Sequence, residues 1–139
     1  MADKIPLSAG VVLVLGCGDG GLGAAFRRRN PAARLIGIEA DPVLARRASA
    51  VLDQVYCLAL EPGPLPALPA VDCIVLAPGL AETLARLDQV LAELGRMLAP
   101  GGMLVAWLPY GGVEAQHELI GQAGQIGRAS CRERVCYAV

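Results

Sequence analysis

Val11-Val12-Leu13-Val14-Leu15-Gly16-Cys17-Gly18-Asp19-Gly20-Gly21, followed about twenty residues later by Glu39, is the stretch that decides how this chain folds. Five β-branched or leucine residues run without a polar interruption, the pattern of a strand buried on both faces. Glycines follow at once. They let the backbone turn tightly and let a ligand approach its amides, and a helix opening directly after them points its positive end at bound negative charge. Leu22 to Arg29 reads as that helix. Arg27, Arg28 and Arg29 complement its negative end as a solvated cluster, and Asn30-Pro31 stops it.

Outward from this stretch, apolar runs of strand length alternate with helical patterns. Arg34 to Glu39 is a second strand, and Asp41-Pro42 supplies the N-cap and first-turn proline of a helix running to about Leu52. Val55 to Leu60 is a third strand. Residues 61–70 hold Pro62, Pro64, Pro66 and Pro69 and form a surface loop. Val71 to Ala77 is a fourth strand. Leu80 to Leu98 fits an amphipathic helix, with Leu80, Leu84, Leu87, Leu91, Leu94 and Leu98 at three- or four-residue spacing. Pro100-Gly101-Gly102 ends it, Met103 to Leu108 is a fifth strand, and Glu114 to Ala123 begins another helix.

This alternation predicts an α/β fold with a parallel, doubly wound sheet and right-handed crossovers. Ligands of such sheets bind at the carboxyl ends of the strands, near the switch point beside the first strand. The glycine loop sits there, and Glu39 ends the neighbouring strand, where a carboxylate can accept hydrogen bonds from two ribose hydroxyls. The pair predicts a nucleotide-cofactor site. Gly16, Gly18 and Gly21 also satisfy G-x-G-x-x-G, so spacing alone leaves a dinucleotide open.

Composition narrows the classes. The chain of 139 residues is one domain's worth, and its 55% hydrophobic content is ample for a core. A net charge of −1 gives no bulk attraction to nucleic acid or anionic membranes. No apolar run reaches the ~18 residues of a membrane span. Met1-Ala2-Asp3-Lys4 lacks the basic region and apolar stretch of a signal peptide, so the expected location is cytoplasmic. The five cysteines form no C-x-x-C pair and the single histidine is His117, so no metal site is expected. Cys17, Cys57 and Cys73 read as small core residues.

The end of the chain reads differently. Ile126-Gly127-Arg128-Ala129-Ser130-Cys131-Arg132-Glu133-Arg134-Val135 resembles one translated frame of a common sequencing-library adapter. Residues 126–139 are therefore expected to be a non-native tail on a domain comprising residues 1–125, with native sequence lost beyond about Gln125. The tail holds three Arg and one Glu, which leaves a net −3 on the rest.

Four segments together carry a family resemblance. Val12-Leu13-Val14-Leu15-Gly16-Cys17-Gly18-Asp19-Gly20 resembles the first motif of class I S-adenosylmethionine-dependent methyltransferases, commonly V-L-D-L-G-C-G-x-G. Ile36-Gly37-Ile38-Glu39-Ala40-Asp41-Pro42 is similar to their second-strand segment, and Val71-Asp72-Cys73-Ile74-Val75-Leu76 to their fourth strand. Leu98-Ala99-Pro100-Gly101-Gly102-Met103-Leu104 is similar to the L-x-P-G-G-x-L turn into strand five, which nicotinamide enzymes do not characteristically carry.

The resemblance covers about residues 10–120 and implies a Rossmann-like sheet of about five strands in the order 3-2-1-4-5. The family's two final strands would be missing, leaving an uncovered edge prone to aggregation. It also implies S-adenosyl-L-methionine as cofactor. Gly16, Cys17, Gly18 and Gly20 would line its methionine and ribose part, and Glu39 would hold the ribose hydroxyls. Ala40 would lie against the adenine, Ala59 and Leu60 at the end of strand three would flank its edge, and Ala77, with Pro78, would face the sulfonium and the substrate.

Two positions depart from the family. Val14 stands where an acidic residue usually orients the cofactor's amino group, and Ala59 stands where an Asp usually meets the adenine amine. Each lost contact costs about 1–3 kcal/mol if its partner goes unpaired, which weakens binding by roughly five- to a hundredfold for each. Gly18-Asp19-Gly20-Gly21 is also similar to a segment of aminopropyltransferases, but Ala77-Pro78-Gly79 lacks the acid those enzymes need after strand four. The implied reaction is in-line displacement at a sulfonium-bound methyl group by a small-molecule acceptor, with the protein supplying orientation and a dry pocket. Glu82, Tyr110 and His117 are the available general bases, and each reads first as structural. An NAD(P)-dependent oxidoreductase and a non-catalytic Rossmann-like binding module are the competing readings.

Overall fold

Val11–Leu15 forms β1, and the whole sheet is organised around it. The computed structural model describes residues 2–60, 65–78, 80, 85–107, 129–132 and 135–138. After β1 come α1 (Gly21–Arg29), β2 (Arg34–Glu39), α2 (Pro42–Ser49), β3 (Gln54–Cys57) and β4 (Val71–Leu76). Then follow α3 (Leu87–Met97), β5 (Leu98–Trp107), β6 (Ala129–Arg132) and β7 (Val135–Ala138). The first five strands are parallel, as the α/β pattern predicts, and stand in the order β3-β2-β1-β4-β5, as the family resemblance implies.

The apolar run of β1 is buried because both faces are covered. Leu13 and Leu15 pack with Val90, Leu91 and Leu94 of α3, while Val12 and Val14 pack with Phe26 of α1 and Ala48 of α2. The alternation of a strand's side chains sends successive residues to these two layers. At the start of β4, Asp72 Oδ2 accepts from the amides of Gly10 and Val11 at 3.0 and 2.9 Å, fixing the entry of β1 beside β4. Among the described residues no helix is long and apolar enough to cross a membrane.

Several expected boundaries shift. β3 stops at Cys57 rather than Leu60, because its partner β2 ends at Glu39, opposite Cys57, and no further ladder is available. Ala59 and Leu60 therefore lie beyond the strand rather than at its end. α2 ends at Ser49, and Val51 and Leu52 continue as a hydrogen-bonded turn onto the Ala48 carbonyl. β5 begins at Leu98, not Met103. Leu98 already pairs with Val71, and the register shifts before Cys73 pairs with Met103, so the proline-glycine turn is a bulge within pairing rather than a stop. Most of the expected long helix is α3, with residues 81–84 outside the described residues. The helix expected at Glu114 to Ala123 also lies outside them.

The expectation that the sheet ends at β5 is corrected. β7 pairs antiparallel with β5, Leu104 opposite Ala138 through Trp107 opposite Val135, and β6 pairs antiparallel with β7. The order is β3-β2-β1-β4-β5-β7-β6. The physical reason is that an open edge presents a row of unpaired amides and carbonyls, and ladder bonds read backbone, not side-chain identity. Val135-Cys136-Tyr137 has the β-branched and aromatic make-up that suits such a strand.

Candidate functional site

The site is built where β1 and β2 end. Gly16 and Cys17 donate their amides to the Ile38 carbonyl at 2.8 and 3.2 Å, holding the loop against the end of β2. Gly16, Gly18 and Gly20 have φ of +70°, +56° and +91°, the left-handed region that only glycine enters cheaply. At Gly20 the need is double, since a Cβ there would also stand 3.2 Å from the Ala48 backbone. Asp19 Oδ1 accepts from the Gly21 amide at 3.0 Å and closes the turn into α1.

Glu39 reaches back to this loop. Its Oε2 accepts from the Gly18 amide at 2.9 Å and its Oε1 from the Asp41 amide at 3.0 Å. An ionised carboxylate has about four lone-pair sites, so each oxygen keeps capacity for another donor. Asp41 in turn caps α2, its Oδ1 accepting from Val43 and Leu44 at 2.8 and 3.3 Å, with Pro42 in the first turn. Sequence spacing points to the carboxylate and, separately, to the cap, but carries no signal of their connection through the Asp41 amide.

The remaining positions divide. Ala77 follows β4 and donates its amide to Leu15 at 3.1 Å; its Cβ lies 3.5 Å from where a Gly16 side chain would begin. Leu80, read only as part of a helix face, closes over the same glycine, its Cδ2 3.1 Å from that point. The amide of Leu80 turns back onto the Ala77 carbonyl. Cys17 is 6% exposed, and its thiol lies in the α1–α2 layer beside Gly37 while staying within 3.9 Å of the Gly18 carbonyl. Burial, aided by the Glu39 charge, pushes that thiol up to about 11. Ala40 and Ala59 are exposed, whereas Leu60 is buried in the α3-side cluster. Val14 is 1% exposed in the opposite layer, so the position where the family carries an acid is core in this chain. Glu82, Tyr110 and His117 lie outside the described residues.

The dinucleotide spacing is not used as a dinucleotide motif would use it. There the third glycine allows close packing of helix on strand. In this chain Gly21 sits at the start of α1 facing Asp19, and Gly23 is the glycine against which Leu52 packs most closely. The tight loop of Gly16 to Gly20 and the close-packing glycine are offset from G-x-G-x-x-G.

Comparison with known proteins agrees. A family model described as a methyltransferase domain matches residues 13–104. The trans-aconitate 2-methyltransferase of Azoarcus sp. (strain BH72) is 31% identical over 118 residues, covering 84% of this chain and 46% of that protein. The chain thus spans about half the length of the curated relatives it matches. A methyltransferase in complex with the Haloferax volcanii Trm112 methyltransferase activator superposes with a TM-score of 0.78 at 16% identity, over 99% of this chain and 85% of that one. A TehB-like methyltransferase from Corynebacterium glutamicum gives 0.74 at 20% identity, over 98% and 81%. At those identities the solved structures speak to the fold alone. With the family match over most of β1 to β5, the loop of Gly16 to Gly20 and the Glu39 carboxylate, this chain belongs to the class I S-adenosylmethionine-dependent methyltransferases.

Proposed function

We propose that the chain binds S-adenosyl-L-methionine at the glycine loop and is the cofactor-binding part of a methyltransferase acting on a small-molecule acceptor. The observation that carries this reading is the Glu39 carboxylate, held by the Gly18 and Asp41 amides with lone pairs to spare for the two hydroxyls of a ribose. The residues fit the group. Among the described residues nothing lies within 4 Å of where a Gly18 side chain would begin, which leaves space beside the carboxylate. Gly16, Gly18, Gly20 and the backbone of Cys17 would hold the methionine and ribose part, Ala40, Ala59 and Leu60 the adenine, and Ala77 the methyl-bearing side.

When bound, the cofactor supplies a methyl group on a sulfonium, open to in-line attack. The chain's own contribution is orientation and exclusion of water. Glu39 fixes the ribose, the left-handed glycines keep the loop clear of side chains, and Ala77 and Leu80 present an apolar wall beside Gly16. Two of the curated relatives carry trans-aconitate in their names, so a small polycarboxylate is the first acceptor to assay. We read residues 1–125 as this domain, cytoplasmic, and residues 126–139 as a non-native tail on the strength of the adapter-like sequence.

Isothermal titration calorimetry with S-adenosylmethionine, S-adenosylhomocysteine and NAD tests the cofactor. Binding of the first two without NAD supports the reading. Preferential NAD binding overturns it in favour of an oxidoreductase, and binding of none in favour of a non-catalytic module.

A further inference from the structure

Three groups at the top of β2 are linked in series. The Asp41 side chain takes the Val43 and Leu44 amides and so fixes the first turn of α2. That fixes the Asp41 backbone, whose carbonyl accepts from Ala45 at 2.8 Å and whose amide points back to Glu39 Oε1 at 3.0 Å. Pro42 limits the rotation available between cap and helix. The Gly18 amide holds the other oxygen from the opposite side. A glutamate has rotamers to spare, and without the Asp41 amide its carboxylate would be held from one side only.

We propose that Asp41 is a positioning residue for the ribose-binding carboxylate. Its cap on α2 aims the Asp41 amide at Glu39 Oε1, and the two amides together hold both carboxylate oxygens ready for a vicinal diol. The proposal rests on the cofactor reading above and goes beyond it by assigning the geometry of that carboxylate to a side chain two residues away that is not itself asked to touch the cofactor.

The test uses the 139-residue chain with Asp41→Ala, Asp41→Asn and, as a stability control, Asp53→Ala. Asp53 accepts from the Leu35 amide and Arg27 outside the site, so its removal loosens the fold without reaching Glu39. Affinities are measured by calorimetry for S-adenosylhomocysteine and for its 2′,3′-dideoxy analogue. Asp41→Ala should weaken S-adenosylhomocysteine binding by about five- to thirtyfold, less than the full loss of a hydrogen bond to a charged group because the Gly18 amide still holds the carboxylate. Asp41→Asn, which also caps helices, should stay within about twofold of the original chain. The dideoxy analogue should bind Asp41→Ala and the original chain alike, and Asp53→Ala should leave both affinities unchanged. An Asp41→Ala affinity equal to the original overturns the proposal, as does an equal loss for both ligands. In those cases binding by the original chain leaves the cofactor reading standing; absence of binding by the original chain removes both.

Discussion

The Glu39 carboxylate and the Gly18 amide meet at 2.9 Å although 21 positions separate them in the chain. This bond ties the end of β2 to the loop after β1, the two edges of the proposed ribose site. Glu39→Ala removes an acceptor for both the loop and the diol. It is expected to weaken S-adenosylmethionine binding by about ten- to a hundredfold, as loss of hydrogen bonds to a charged group does. Calorimetry reads the change; an unaltered affinity would place the ribose elsewhere.

Gly37 in β2 faces the Cys17 thiol so closely that a Cβ there would stand 2.6 Å from Cys17 Sγ and 2.7 Å from Leu52 Cδ1. Gly37→Ala should lower stability by about 1–3 kcal/mol through overpacking. Adding Cys17→Ala should recover part of that loss, a non-additivity that a double-mutant cycle by urea denaturation measures. Additive effects would show that the strand moves away instead.

The thiols differ in reach. Cys57 is exposed, while burial pushes Cys17 up to about 11 and Cys73 to about 12, with the Asp72 charge adding to the latter. Iodoacetamide at pH 8 should alkylate Cys57 before Cys17 and Cys73, as read by peptide mass spectrometry. The raised values also fix a sign. Stability that rests on neutral buried thiols is whole below the ordinary value of 9.0 and falls as pH rises through 9 towards 11 and 12. Cys17→Ala should flatten the decline in melting temperature across that range.

Ending the chain at Gln125 removes β6 and β7 and uncovers the backbone of β5. The shortened chain should self-associate on size-exclusion chromatography at concentrations where the 139-residue chain does not. Equal elution as monomers would show that the β7 ladder contributes little.

Much of this was legible in the sequence because burial leaves a plain trace. β1 and β2 sit where uninterrupted apolar runs place them, since strands covered on both faces have no polar positions to blur them. β3 was overrun because Leu58 and Leu60 prolong the apolar pattern, while the ladder stops where β2 does. Pro100-Gly101-Gly102 reads as punctuation, yet the chain resumes pairing across it. Val135 to Tyr137 has a make-up that suits a strand, but whether β7 pairs depends on an available edge, which residue type does not announce. Within the site, spacing exposed Glu39 and the glycines. The contact of Leu80 with Gly16 and the reach of the Asp41 amide to Glu39 depend on the turns after β4 and β2, which residue patterns do not fix.

The position of β1 has a consequence in time. Its two partners are β2, which follows it in sequence after one short helix, and β4; the glycine loop, Glu39, Ala77 and Leu80 all lie before α3. A chain made from its N-terminus therefore has every part of the cradle synthesised before the last three strands are. Cofactor that binds once β5 has joined β4 would favour the folded sheet before β5 has a neighbour on its far side.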